Sequence, residues 1–119
     1  MAEIIGRKVY LAGPMRGIPE FNFPAFAKWA QWLRAQGYEV FSPAEKGAEK
    51  EVEKDPSLQH DLAFRRKVFL MDTNYICTEA DIIALMPDWH ISLGARAEYA
   101  LAKAIGLQVM ILEGTHAAN

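Results

Sequence analysis

Apolar and polar positions along the chain alternate between two periods. "KVYLAG" (Lys8 to Gly13) is a short apolar run that ends in a Gly-Pro break, and it predicts a first strand. "FPAFAKWAQWLRAQG" then follows helical spacing, with Pro24 suited to a first turn and Gly37 to an end. Its inner stripe reads Phe23, Phe26, Ala27, Ala30 and Leu33. Trp29 and Trp32, with Ala25, fall on a second apolar stripe opposite the core. Exposed tryptophans are costly, so that stripe predicts a subunit interface. "YEVFSP" (Tyr38 to Pro43) predicts the second strand.

The next segment, "AEKGAEKEVEKDP", is almost wholly charged and has no core-forming period. It predicts a solvated loop or, as a long loop beside strand ends, a flap over a site. Leu58 to Glu79 is helical in pattern, in one or two pieces. "DIIALM" (Asp81 to Met86) is nearly continuous and predicts a central strand covered on both faces. "SLGARAEYALAKAIG" (Ser92 to Gly106) predicts a serine-capped helix, and "LQVMIL" (Leu107 to Leu112) a last strand. Strand and helix therefore alternate. The expectation is an α/β, three-layer, flavodoxin/Rossmann-like fold with a mostly parallel central sheet of four to five strands. Ligands in such folds bind beyond the carboxyl ends of the strands. "GPMRG", Ser42-Pro43 and "PDWHISLG" should converge there.

Composition narrows the function. The 119 residues suit one domain, residues 1–119, and 51% hydrophobic with 24% charged is ordinary for a globular chain. A net charge of −2 argues against a nucleic-acid polymer as partner but leaves small phosphates open. The single Cys77 excludes an intrachain disulfide and points to a reducing, cytoplasmic setting. No apolar run reaches the ~20 residues of a membrane span, and no signal peptide is evident. His60, His90 and His116 have no metal-ligand spacing with Cys77 or one another, so neither a metal nor a cofactor is expected.

Candidate chemistry lies in two loops and two acids. "GPMRG" (Gly13 to Gly17) sets Arg16 between glycines that let a ligand approach the backbone, although it also reads as a turn with a surface arginine. "SLGA" (Ser92 to Ala95) offers a hydroxyl and free N–H groups at a helix start; capping alone is the plainer use. Glu98 shares a stripe with Gly94, Leu101 and Ile105, which points an acid inward one turn beyond a glycine hollow. It is either a ligand-facing carboxylate or a structural one that snorkels to the edge or pairs with an arginine, Arg16 being a candidate. Asp72 falls on a stripe with Leu62, Arg65, Phe69 and Ile76, again among apolar neighbours, with an Arg65 ion pair as its structural alternative. Asp81 reads as a turn or cap residue.

Taken in order, "YLAGPMRG", "GYEVFSP", an Asp before "ADIIA", and "SLGARAEYALA" resemble the nucleoside 2-deoxyribosyltransferase superfamily. The chain looks closest to its nucleoside 5′-monophosphate N-glycosidase branch and to small phage and bacterial relatives. The signature P-x-W-x-x-S-x-G-A-x-x-E reads here as Pro87, Trp89, Ser92, Gly94, Ala95 and Glu98.

The resemblance implies a catalytic glutamate at Glu98 that attacks the anomeric carbon, and a second acid at Asp72 that handles the base. It places phosphate against Ser92, where the transferases carry an aspartate, and against Arg16 and Gly17. Tyr10 and Gly13 would line the sugar and base pocket, with Gly94 beside the phosphate. It also implies a homodimer or higher homo-oligomer, because family members complete the site with a residue from a neighbouring subunit. That residue follows the last strand, where this sequence has only "LEGTHAAN", so either the tail or the charged segment supplies it, or catalysis is weak. The expected activity is hydrolysis of a (deoxy)nucleoside 5′-monophosphate. Base exchange and non-catalytic nucleotide binding are the alternatives.

Overall fold

The structure is a computed structural model and describes residues 7–46 and 48–113. Four parallel strands form one sheet in the order β2-β1-β3-β4: β1 (Lys8–Ala12), β2 (Glu39–Phe41), β3 (Ile82–Leu85) and β4 (Gln108–Ile111). Three long helices flank it: α1 (Phe23–Ala35), α4 (Leu62–Thr78) and α5 (Leu93–Ile105). Two single-turn helices, α2 (Pro43–Lys46) and α3 (Glu51–Lys54), lie between β2 and α4. The expected α/β, three-layer architecture with a parallel sheet is present.

Strand alternation builds the layers. Val9, Leu11, Val40, Ile82 and Ala84 pack with Phe26, Trp29, Ala30 and Leu33 of α1. Tyr10, Ala12, Ile83 and Leu85 pack the other way, with Ile76 of α4 and Ala95 and Ala102 of α5. β1 and β3, covered on both faces, are apolar almost throughout, as central parallel strands require. Asp81 ties the sheet's lower end, its Oδ2 accepting from the Arg7 and Lys8 amides at 3.0 Å each.

The crossover to β2 leaves β1 on the α1 face, and the crossover from β3 to β4 runs over the opposite face. The chain therefore departs in opposite directions from the adjacent ends of β1 and β3. That is a topological switch point, the place beyond the carboxyl ends of the strands where open parallel sheets generally bind their ligands.

Three expectations from the pattern require correction. On α1 the buried face is Phe26, Trp29, Ala30 and Leu33, while Ala27 is exposed. The volume of Trp29 fills the space over the sheet that an alanine would leave empty. Trp29 is thus core, Trp32 and Ala25 pack against that core, and the tryptophan stripe is not a free outer surface. The charged segment is not simply a solvated loop: it coils into α2, α3 and a tight turn between them, with Glu49 and Val52 buried at 5% exposure each. On α4, Asp72 and Ile76 face inward with Phe64, whereas Leu62, Arg65 and Phe69 turn outward. The break expected in that helical stretch falls at Asp61, whose Oδ2 caps α4 by accepting from the Phe64 amide at 2.8 Å.

Candidate active site

Tyr10 is the centre of the site. Its place on β1 aims the side chain at the α4–α5 layer, where it is fully buried. Its hydroxyl donates to Glu98 Oε2 at 2.9 Å. Phe41 stacks on its ring at 5.6 Å, and Tyr75 stacks on Phe41 at 4.5 Å. These aromatic rings wall one side of a set of acids.

Glu98 lies on the second turn of α5 and is 7% exposed. Burial, then the charge of nearby Asp72, raises its pKa to about 8, while the Tyr10 hydrogen bond pulls the other way. Glu98 is therefore a protonated acid at neutral pH that a modest rise in pH or an arriving positive charge would ionise. Arg16, the ion-pair partner considered from sequence, is exposed and makes no ion pair among the described residues. The inward acid is thus not a structural salt bridge.

Asp72 is buried at 2% exposure, and no pair with the exposed Arg65 forms. Its carboxyl instead meets Glu49. Burial first, and this contact with a second acid next, raise Glu49 to about 10, so the pair retains a proton at neutral pH. Burial also raises Asp72, although accepting from Glu49 and lying close to the Tyr10 hydroxyl offset part of the rise. Glu49 Oε1 and Asp72 Oδ1 are left without hydrogen-bond partners among the described residues. Burial likewise holds the Tyr10 hydroxyl in its neutral form, its pKa pushed well up, with the Glu98 charge adding to the effect.

Glu49 is the residue that sequence reasoning missed. A signal did exist: Val52 is the one branched aliphatic of "AEKGAEKEVEKDP", and Glu49 precedes it by one helical turn, so a Val52 that packs inward brings Glu49 with it. Val52 indeed packs on Phe64, with Phe21, Leu58 and Val68 around them. Phe21 comes from the β1–α1 loop, so one small cluster joins that loop to the charged segment. Glu20, Phe21 and Asn22 all take left-handed backbone (φ 56°, 56° and 60°), a conformation costing such residues about 1–2 kcal/mol each. Asn22 Nδ2 donates to the Pro14 carbonyl at 2.8 Å and helps hold this strained turn.

The remaining expected residues fall on the two loops at the switch point. Ser92 caps α5, its Oγ accepting from the Ala95 amide at 3.1 Å, which leaves the hydroxyl proton available to a ligand. Gly94 is exposed, and a Cβ there would meet only Ser92 Oγ, at 3.9 Å, so the surface of α5 one turn before Glu98 is open. Gly17 turns the β1 loop at φ 83° beside the exposed Arg16. Gly13 carries a packing constraint that its place in the loop alone does not reveal. Its missing side chain makes room for Met86, whose Sδ and Cβ lie 2.7 and 2.8 Å from where a Cβ would stand, so the glycine is required for packing between β1 and β3. His116 and the tail beyond Glu113 lie outside the described residues.

Buried acids with raised pKa values beside an aromatic wall, with a helix start at the switch point, are groups able to hold and exchange protons. Among the described residues no cluster of His, Cys, Asp and Glu has the arrangement of a metal site, and no helix is long and apolar enough to cross a membrane. A search of curated proteins finds no match. Residues 7–111, which take in every strand and helix described above, match the family model described as Domain of unknown function (DUF4406), and the chain belongs to that family.

Proposed function

We propose that the protein hydrolyses the N-glycosidic bond of a (deoxy)nucleoside 5′-monophosphate, with Glu98 as nucleophile. The observation that carries this proposal is the buried Glu98 held by Tyr10, one turn beyond the open surface at Gly94 and the Ser92 cap. A glycosidic bond breaks through oxocarbenium character at C1′, which a close carboxylate stabilises or traps, while a second acid protonates the departing base. Glu98 suits the first role. Asp72, joined to a proton-bearing Glu49, suits the second. The hydroxyl of Ser92, the amides at the start of α5 and the guanidinium of Arg16 offer a phosphate its partners at the switch point. Holding the phosphate there would place C1′ against Glu98.

The raised pKa of Glu98 fits the chemistry. A neutral acid becomes the nucleophile only on ionisation, and positive charge developing on the sugar favours that ionisation. The burial of all three acids supports a second reading, a module that binds a nucleotide without turning it over. We carry the homodimer with the proposal, though not through the tryptophans of α1. The exposed thiol of Cys77 suits the reducing compartment such a reaction would occupy.

Nucleoside 5′-monophosphates and the matching nucleosides, each incubated with the protein and assayed for free base, test the proposal. Base released from the nucleotides in preference to the nucleosides supports hydrolysis. A new nucleoside formed on adding a second base indicates exchange instead. Thermal protection by a nucleotide that stays intact identifies a binding module.

A further inference from the structure

The charged segment delivers one side chain into the site, and that side chain has no structural reason to be an acid. Glu49 is 5% exposed on a stretch whose other charges face solvent; Glu51, for example, pairs with Lys67 at 3.1 Å on the surface. A glutamine would fill the same volume without an ionisable group. The groups facing Glu49 are Asp72 from α4, Glu98 from α5 and Tyr10 from β1, all acids or neutral donors, and among the described residues no ion pair compensates its charge. An isolated buried carboxylate is unstable; one that shares a proton with a neighbouring carboxyl is not.

We infer that Glu49 and Asp72 act as one acid, Glu49 holding the proton that passes through Asp72 to the leaving base. This rests on the hydrolase proposal above and deepens it by naming a positioning residue that acts through Asp72. In the first half-reaction the C1′–N bond breaks, its electron pair goes to the base nitrogen, and the base takes the proton of the Glu49–Asp72 pair. A Glu98 carboxylate oxygen bonds to C1′. In the second half-reaction the oxygen of water displaces Glu98 from C1′, and the proton released by that water returns to the pair. The enzyme ends as it began. Glu49 Oε1 and Asp72 Oδ1 are both buried without a donor among the described residues, and a proton shared between the two carboxyls would satisfy them.

Infrared spectroscopy and leaving-group dependence test this together on wild type, Glu49→Gln and Asp72→Asn. Near pH 9, between the values of about 8 for Glu98 and about 10 for Glu49, the carbonyl band of a protonated carboxyl should persist in wild type and vanish in Glu49→Gln. Glu49→Gln should slow release of natural bases on the order of 10²-fold while sparing a nitrophenyl leaving group, which departs without a proton. Its alkaline pH limb should also disappear. A band that survives Glu49→Gln, or equal slowing of both leaving groups, overturns the inference. A wild type that shows the band but cleaves neither substrate overturns the hydrolase proposal and the proton-transfer role together, leaving the shared proton as the measured property.

Discussion

The Tyr10 hydroxyl and Glu98 Oε2, 88 positions apart in sequence, meet at 2.9 Å in the buried α4–α5 layer. Among the described residues this contact favours the ionised form of Glu98 against burial and the charge of Asp72. Tyr10→Phe keeps the ring stacked on Phe41 and removes only the donor. The pKa of Glu98 should rise further, so the acid limb of the pH–rate profile moves to higher pH. The variant should also lose about 1–3 kcal/mol of stability, measurable by denaturant unfolding.

Activity should follow a bell in pH. Glu98 attacks only when ionised, so kcat/KM should climb as pH rises through about 8. The Glu49–Asp72 pair protonates the base only while it holds its proton, so the rate should fall above about 10. A profile with its optimum near pH 6 would contradict these assignments.

The same shifts set the direction in which stability depends on pH. Between 4.5, the ordinary value, and about 8, an unfolded chain has released the Glu98 proton while the folded chain keeps it. Stability contributed by the neutral acid is complete below 4.5 and is lost as pH rises through about 8, Glu49 carrying the loss onward to about 10. Wild type should therefore be less stable near pH 9 than near pH 5, by on the order of a few kcal/mol, and melt at lower temperature there. Glu98→Gln should flatten that dependence and exceed wild type in Tm at the alkaline end.

How much of this was legible in the sequence follows from what each signal averages over. β1, β3 and α5 were readable because each buries a continuous surface, and Glu98 stood out as the one charge on an otherwise apolar stripe. Trp29 was misplaced because the stripe at Phe26, Ala30 and Leu33 is shared by two helix rotations, and side-chain volume against the sheet decides between them. Glu49 was missed because a run of charges reads as solvated unless one asks what its single valine packs on. The packing of Gly13 on Met86 was not legible, because it depends on the register of β1 against β3.

Two glycines should respond in opposite ways to the same substitution. Gly13→Ala drives a Cβ to within 2.8 Å of Met86 Cβ and should cost about 1–3 kcal/mol in unfolding experiments. Gly94→Ala meets nothing nearer than 3.9 Å and should fold normally. Because it covers the open surface before Glu98, it should raise KM for a nucleotide several-fold, on the scale of a lost contact of about 1 kcal/mol.

Ser92→Asp keeps a good helix cap, so the fold should be unchanged. The new carboxylate would repel a phosphate and accept from a 5′-hydroxyl. Preference should shift from nucleotide toward nucleoside, by on the order of tenfold or more, read as the ratio of the two kcat/KM values.

The nucleophile assignment is tested most directly by free-base release from nucleoside 5′-monophosphates near pH 9, comparing wild type with Glu98→Ala. Wild type should release base, and the variant should lose on the order of 10³-fold or more in rate while remaining folded by circular dichroism. Equal release by the two proteins, or release by neither, would contradict the assignment of Glu98 as the attacking group.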